Sequence, residues 1–128
     1  MISFNPALYQ REGIEGTRRR QVVQIMQAAL AAVDPYLAVR AALRREGDLL
    51  HVGGETLDLS RYTRVLVVGA GKAGAPMARA AEAVLGDRLT AGSVTVKYGY
   101  GEPTERIVIH QAGHPIPDEA GVQGSRHR

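Results

Sequence analysis

Cysteine is absent from the 128 residues, which removes disulfide scaffolds, thiolate zinc sites and cysteine nucleophiles from consideration. Aromatic residues are scarce: there is no tryptophan, one phenylalanine, Phe4, and five tyrosines. A nucleic-acid surface interleaves aromatic or polar readers in a basic face. The excess of 16 Lys and Arg over 13 Asp and Glu instead lies in short clusters, Arg18-Arg19-Arg20, Arg44-Arg45 and Arg126 with Arg128, which read as solvated arginines. No nucleic-acid partner is expected. No apolar run approaches the ~18 residues that span a bilayer, and Met1 to Arg11 lacks the basic start and apolar stretch of a signal peptide. The expectation is a cytoplasmic protein with no membrane partner. The hydrophobic content of 45% and charged content of 23% are those of an ordinary globular domain.

Residues 1–16 carry Pro6, Gly13 and Gly16 without periodicity and read as an irregular lead-in; residues 17–128 read as one α/β domain. Thr17 is a candidate N-cap for a first helix whose apolar set is Val22, Met26, Ala29, Leu30 and Val33. Asp34-Pro35 restarts a second helix over residues 35–45, with Gly47 as its stop. The runs 49–52 and 56–59 flank Gly53-Gly54, a pair suited to a tight hairpin turn. Residues 64–68, in which Arg64 leads into the aliphatic run Val65-Leu66-Val67-Val68, read as a central parallel strand. A helix over 75–85 and strands over 93–97 and 107–110 follow. The expected fold is α/β, a Rossmann-like parallel sheet with flanking helices, preceded by a helical pair and a small β-hairpin. A last helix that starts near Asp118 and stops within 123–128 makes the domain look incomplete.

The strongest motif is Gly69-Ala70-Gly71-Lys72-Ala73-Gly74, a G-x-G-x-x-G directly after a strand and at the opening of a helix. Glycines let the backbone turn sharply and approach a ligand, and a helix N-terminus offers N–H donors and a positive dipole end to an anion. Lys72 adds a full charge. The loop is not a Walker loop, since Ala73 follows where Ser or Thr is required. A ligand-free β-to-α turn is the plainer alternative. A dinucleotide site would want an acidic residue at the end of the second strand; Lys97-Tyr98 stands there, which favours a mononucleotide or anionic substrate and leaves NADP as a weaker option. The second motif, Ala112-Gly113-His114-Pro115-Ile116-Pro117-Asp118-Glu119, is a proline-stiffened loop at the same sheet edge. His114 is suited to binding a substrate oxygen or to acid–base work, and Asp118 to holding magnesium or orienting a hydroxyl. The plainer alternative has Asp118 capping a helix and His114 bonding backbone. His51 and His110 read as structural.

These two motifs, with Val96-Lys97-Tyr98-Gly99 between them, resemble in order and spacing the N-terminal domain of the MOFRL-associated glycerate 2-kinase family. Ala32-Val33-Asp34-Pro35 and Tyr62-Thr63-Arg64-Val65 extend the resemblance over about residues 20–122. The resemblance implies transfer of the γ-phosphoryl group of ATP to the 2-hydroxyl of D-glycerate, with Mg2+, in a cleft closed by a C-terminal domain. It implies Lys72 as the catalytic cation, with Gly69, Gly71, Gly74, His114 and Asp118 lining the substrate or nucleotide site; no magnesium ligand is assigned.

No residues correspond to the domain that would close the cleft, so the chain is expected to be a truncated N-terminal part, inactive alone. Two other functions stay open: an NAD(P)-dependent hydroxypyruvate reductase, a label that members of this family also carry, and a non-catalytic remnant whose sheet edge needs a partner.

Overall fold

The computed structural model describes residues 4–10 and 12–126. It divides into two units, Met1–Asp34 and Pro35–Arg128. The first holds one 3-10 turn, Pro6–Leu8, and helix α1, Gly13–Ala32. The Asn5 side chain accepts from Ala7 N at 3.0 Å and so caps the turn. Helix α1 starts four residues ahead of the Thr17 expected from sequence. Glu15 sits in its first turn, where the helix dipole favours a negative charge, and pairs with Arg19 at 2.5 Å. Thr17 Oγ1 donates back to Gly13 O at 3.2 Å, so Thr17 is a helical residue rather than a cap. Val22, Met26, Leu30 and Val33, read as one apolar face, are exposed.

The second unit begins with helix α2, Pro35–Ala42, shorter than the expected span to residue 45. Leu43–Glu46 is strand β1, which pairs antiparallel with β2, Leu49–Val52, and β2 pairs with β3, Glu55–Asp58. The expected hairpin is therefore two strands of a three-stranded meander. Gly47, read as a helix stop, forms the β1–β2 turn with φ +59°; Gly53 and Gly54, at +55° and +86°, form the second turn, as a primed hairpin turn requires. Strand β1 persists because alternate residues Leu43 and Arg45 turn inward, and the Arg45 guanidinium reaches the α3 C-terminus, donating to Leu85 O and to Asp87 Oδ1.

Strands β4 (Leu66–Ala70), β5 (Ala91–Lys97) and β6 (Ile107–Ala112) form a parallel sheet in the order β4-β5-β6, with helix α3 (Gly74–Leu85) between β4 and β5 and helix α4 (Glu119–Arg126) after β6. This is the expected α/β class with its parallel sheet and flanking helices. Val94 and Val96 of β5 meet the start of α3, whereas Thr95 of β5 and His110 of β6 meet Gly124 of α4. Since successive strand residues point to opposite faces, the two helices cover opposite faces of the sheet. The core joins Leu50 and Leu59 of the meander region to Ala75, Ala78 and Leu85 of α3 and to Leu89, Val94, Val96 and Ile107. One expectation changes. Strand β4 is an edge of the described sheet: Val65 and Val67 pack on the core, but Leu66 is 56% and Val68 79% exposed. An aliphatic run shows that a strand is apolar on both faces, not that both faces are covered within the same 128 residues.

Among the described residues no single helix is long and apolar enough to cross a membrane.

Candidate functional site

The C-terminal ends of parallel strands β4, β5 and β6 lie side by side, in the register Ala70↔Thr95↔His110 and Lys97↔Ala112. Three loops leave this edge: residues 71–73 after β4, 98–106 after β5 and 113–118 after β6. In open α/β sheets this edge is where ligands bind. The sequence motifs thus converge on one rim, and His51, in β2, lies elsewhere.

The glycine turn is anchored from below. Gly71 N donates to Thr95 O at 2.9 Å and Gly74 N to Gly71 O at 2.9 Å. Gly71 has φ +126°, a backbone region that side-chain-bearing residues rarely adopt. At Gly74 a Cβ would lie 2.8 Å from Val94 Cγ1 and 3.1 Å from Val96 Cγ1, so the missing side chain lets α3 settle onto β5. Gly69 has ordinary room, 3.7 Å to Val94. Twelve-residue α3 directs its positive dipole end at this turn, and Ala73, its N-cap, offers no side-chain oxygen to the first amides. Lys72 is exposed, and no ion pair or hydrogen bond to another described residue holds its ammonium. A cation without a protein partner beside a helix N-terminus can receive a phosphate or carboxylate.

His114 is exposed on the loop after β6, and its peptide bond to Pro115 is cis. Asp118, half-buried, accepts from Tyr98 Oη at 2.8 Å and from Gly121 N at 3.1 Å, and Gly113 lies against its carboxylate. The Gly113 amide first, then the Tyr98 hydroxyl, draw its pKa below the ordinary 3.8, against a smaller opposing effect of desolvation. Asp118 draws the Tyr98 phenol above its ordinary 10.0. The carboxylate is therefore ionised and closes the loop onto the first turn of α4.

Tyr98 and Gln111 are site residues that sequence reasoning passed over. Gln111 Oε1 accepts from Gly99 N at 2.7 Å, which ties the loop after β5 to β6 a second time. The available signal was a hydroxyl-bearing aromatic in Lys97-Tyr98-Gly99, but its partner is twenty residues away and no local pattern reveals it. Lys97, at the end of β5, lies 5.5 Å from the centroid of the Tyr100 ring.

Among the described residues no group of three or more His, Asp and Glu side chains is placed to hold a metal ion. Mg2+ is commonly held by phosphates and waters with only one or two carboxylates.

The chain is similar to known proteins over most of its length. The family described as "Domain of unknown function (DUF4147)" matches residues 21–128. Glycerate 2-kinase of Pyrococcus horikoshii is 38% identical over 104 residues, which make up 81% of this chain and 23% of that protein. A crystal structure of a protein from Pyrococcus horikoshii OT3 superposes with a TM-score of 0.72 at 37% identity, covering 85% of this chain and 24% of the other. Glycerate kinase from Thermotoga maritima superposes with a TM-score of 0.62 at 29% identity, covering 86% and 23%. The chain therefore spans about a quarter of the length of these relatives. It belongs to the DUF4147 family, and its likeness to glycerate kinases bears out the resemblance carried by its three motifs.

Proposed function

We propose that this chain provides the anion-binding part of a glycerate 2-kinase, which transfers the γ-phosphoryl group of ATP to the 2-hydroxyl of D-glycerate to give 2-phosphoglycerate. The observation that carries the reading is Lys72: an exposed ammonium with no partner among the described residues, set in a glycine turn at the N-terminus of α3. In the reaction the 2-hydroxyl oxygen bonds to the γ-phosphorus, the bond to the β,γ-bridging oxygen breaks, and the hydroxyl proton is released. Charge spreads over the transferring group, and catalysis is mostly positioning and charge stabilisation. Lys72 supplies a fixed cation for the phosphoryl oxygens or the glycerate carboxylate. Gly69, Gly71 and Gly74 let the backbone come close, and His114 meets a substrate oxygen. Asp118 contributes through the loop it closes, because its carboxylate is already engaged by Tyr98 and Gly121. Mg2+ enters with ATP as part of the substrate.

Since the chain spans about 23% of Pyrococcus glycerate 2-kinase, turnover needs the remainder of such an enzyme, and these residues alone bind without catalysing. An NAD-dependent reductase would want an acidic residue at the end of β5 to hold the cofactor ribose; Lys97 ends that strand, which argues against NAD and leaves NADP as the weaker option.

Calorimetric titration of the chain with D-glycerate and with Mg2+-ATP, against NADH and NADPH, tests the reading. Binding of the first two that weakens at least about tenfold in Lys72→Ala supports it. Binding of NADPH with no response to ATP or D-glycerate contradicts it.

A further inference from the structure

The loop that carries His114 is held at its base by one carboxylate. Gly121 N and Tyr98 Oη donate to Asp118 and Gly113 lies against its carboxylate, so the loop's first residue, the first turn of α4 and the loop after β5 meet on it. Tyr98 N donates to Ala112 O at 3.1 Å, and Gly99 N to Gln111 Oε1. Gly113 is enclosed: a Cβ there would lie 2.6 Å from Ile116 O and 3.0 Å from Asp118 Oδ2. His114 is the next residue in this loop.

The two donors do different work. The Gly121 amide caps α4 whether or not the phenol is present. The phenol reaches across from the loop after β5 to the same carboxylate.

We propose that Tyr98 is a positioning residue: its hydroxyl, donated to Asp118, sets the orientation of the 113–118 loop and thereby presents His114 to a hydroxy-acid anion bound at the Lys72 turn. The ligand in this statement rests on the glycerate kinase reading; the coupling of Tyr98 to the His114 loop does not. Tyr98 itself makes no contact with the anion, because its hydroxyl hydrogen is committed to Asp118. The directions of the two pKa shifts, up for the phenol and down for the carboxyl, agree with a neutral donor facing an ionised acceptor.

The test uses the isotope-labelled 128-residue chain as wild type, Tyr98→Phe, Asp118→Asn and the double variant, with Tyr62→Phe as a control. Titration with D-glycerate is followed by NMR, with amide exchange at Gly113 and the ring signals of His114 as further readouts. The expected result is about tenfold weaker binding in Tyr98→Phe, unchanged binding in Tyr62→Phe and a melting temperature close to wild type in both. In the Asp118→Asn background Tyr98→Phe should add little, since coupled residues are non-additive. A wild-type affinity in Tyr98→Phe overturns the proposal. If the wild-type chain binds no D-glycerate, the ligand reading fails and positioning is decided by the other readouts. Faster Gly113 exchange and displaced His114 signals in Tyr98→Phe then support it, and unchanged values overturn it.

Discussion

Gly74 and Val94 face each other at a separation that leaves no room for a methyl group: a Cβ on Gly74 would lie 2.8 Å from Val94 Cγ1. Val94 is 3% exposed and sits in the core, so it has little freedom to yield. Helix propensity favours alanine over glycine by about 1 kcal/mol, whereas overpacking a core costs about 1–3 kcal/mol. The packing effect should win. Gly74→Ala is predicted to lower stability by about 1 kcal/mol in urea denaturation, and a stabilised variant would show that α3 can ride up from β5 at no cost.

Glu82 of α3 organises the entry to β6. Its carboxylate accepts from Glu105 N at 3.0 Å, Arg106 N at 2.6 Å and Ile107 N at 3.2 Å. Glu82→Ala leaves three backbone donors without their acceptor, and should cost about 1–3 kcal/mol. Amide exchange at Arg106 and Ile107 should accelerate well before exchange in β5, where the ladder persists.

The pH dependence follows from groups whose folded-state pKa values are displaced. Asp58, held by the Ser60 hydroxyl, Asp87, held by Arg45, and Asp118, held by Gly113 N, all lie below the ordinary 3.8. A depressed carboxyl stabilises the fold above its unfolded pKa, and that contribution disappears as pH falls through the lower folded value. Tyr98 is displaced upward from 10.0, so its contribution holds below that value and is lost as pH rises through the higher folded one. The urea midpoint should therefore drop on acidification below about pH 4, and less steeply in Asp118→Asn. An identical acid slope in that variant would show that the carboxylate titrates as it does in the unfolded chain.

Gly113→Ala tests the loop backbone itself. The added methyl group would meet Ile116 O at 2.6 Å, and a carbonyl cannot turn away as a side chain can. The variant should lose D-glycerate binding while β5 and β6 keep their amide protection.

Local signals in the sequence were sufficient where the structure is locally determined. The run ending at Val68, the glycine turn and the restart at Asp34-Pro35 each mark an element within a few residues of its place. Strand β1 escaped because Leu43-Arg44-Arg45-Glu46 has helical propensity and follows a helix; it becomes a strand by pairing with β2 and by Arg45 reaching α3. The edge position of β4 was equally hidden, since an apolar run carries no record of which neighbours are present. At the candidate site Lys72 and His114 were legible as charged or titratable residues in glycine- or proline-bounded loops. The clasp between Tyr98 and Asp118 was not, because it joins the ends of two strands and exists only once β5 and β6 pair.

The central claim is that the Lys72 turn is an anion site for a glycerate kinase. Its most direct test is the affinity of the chain for D-glycerate in wild type and Lys72→Ala, measured by calorimetry at low salt, where screening of an exposed charge is least. Measurable binding that falls at least about tenfold in the variant is the predicted result. Equal affinity in the two proteins would contradict the claim and leave the glycine motif as a tight turn for packing α3 on β5.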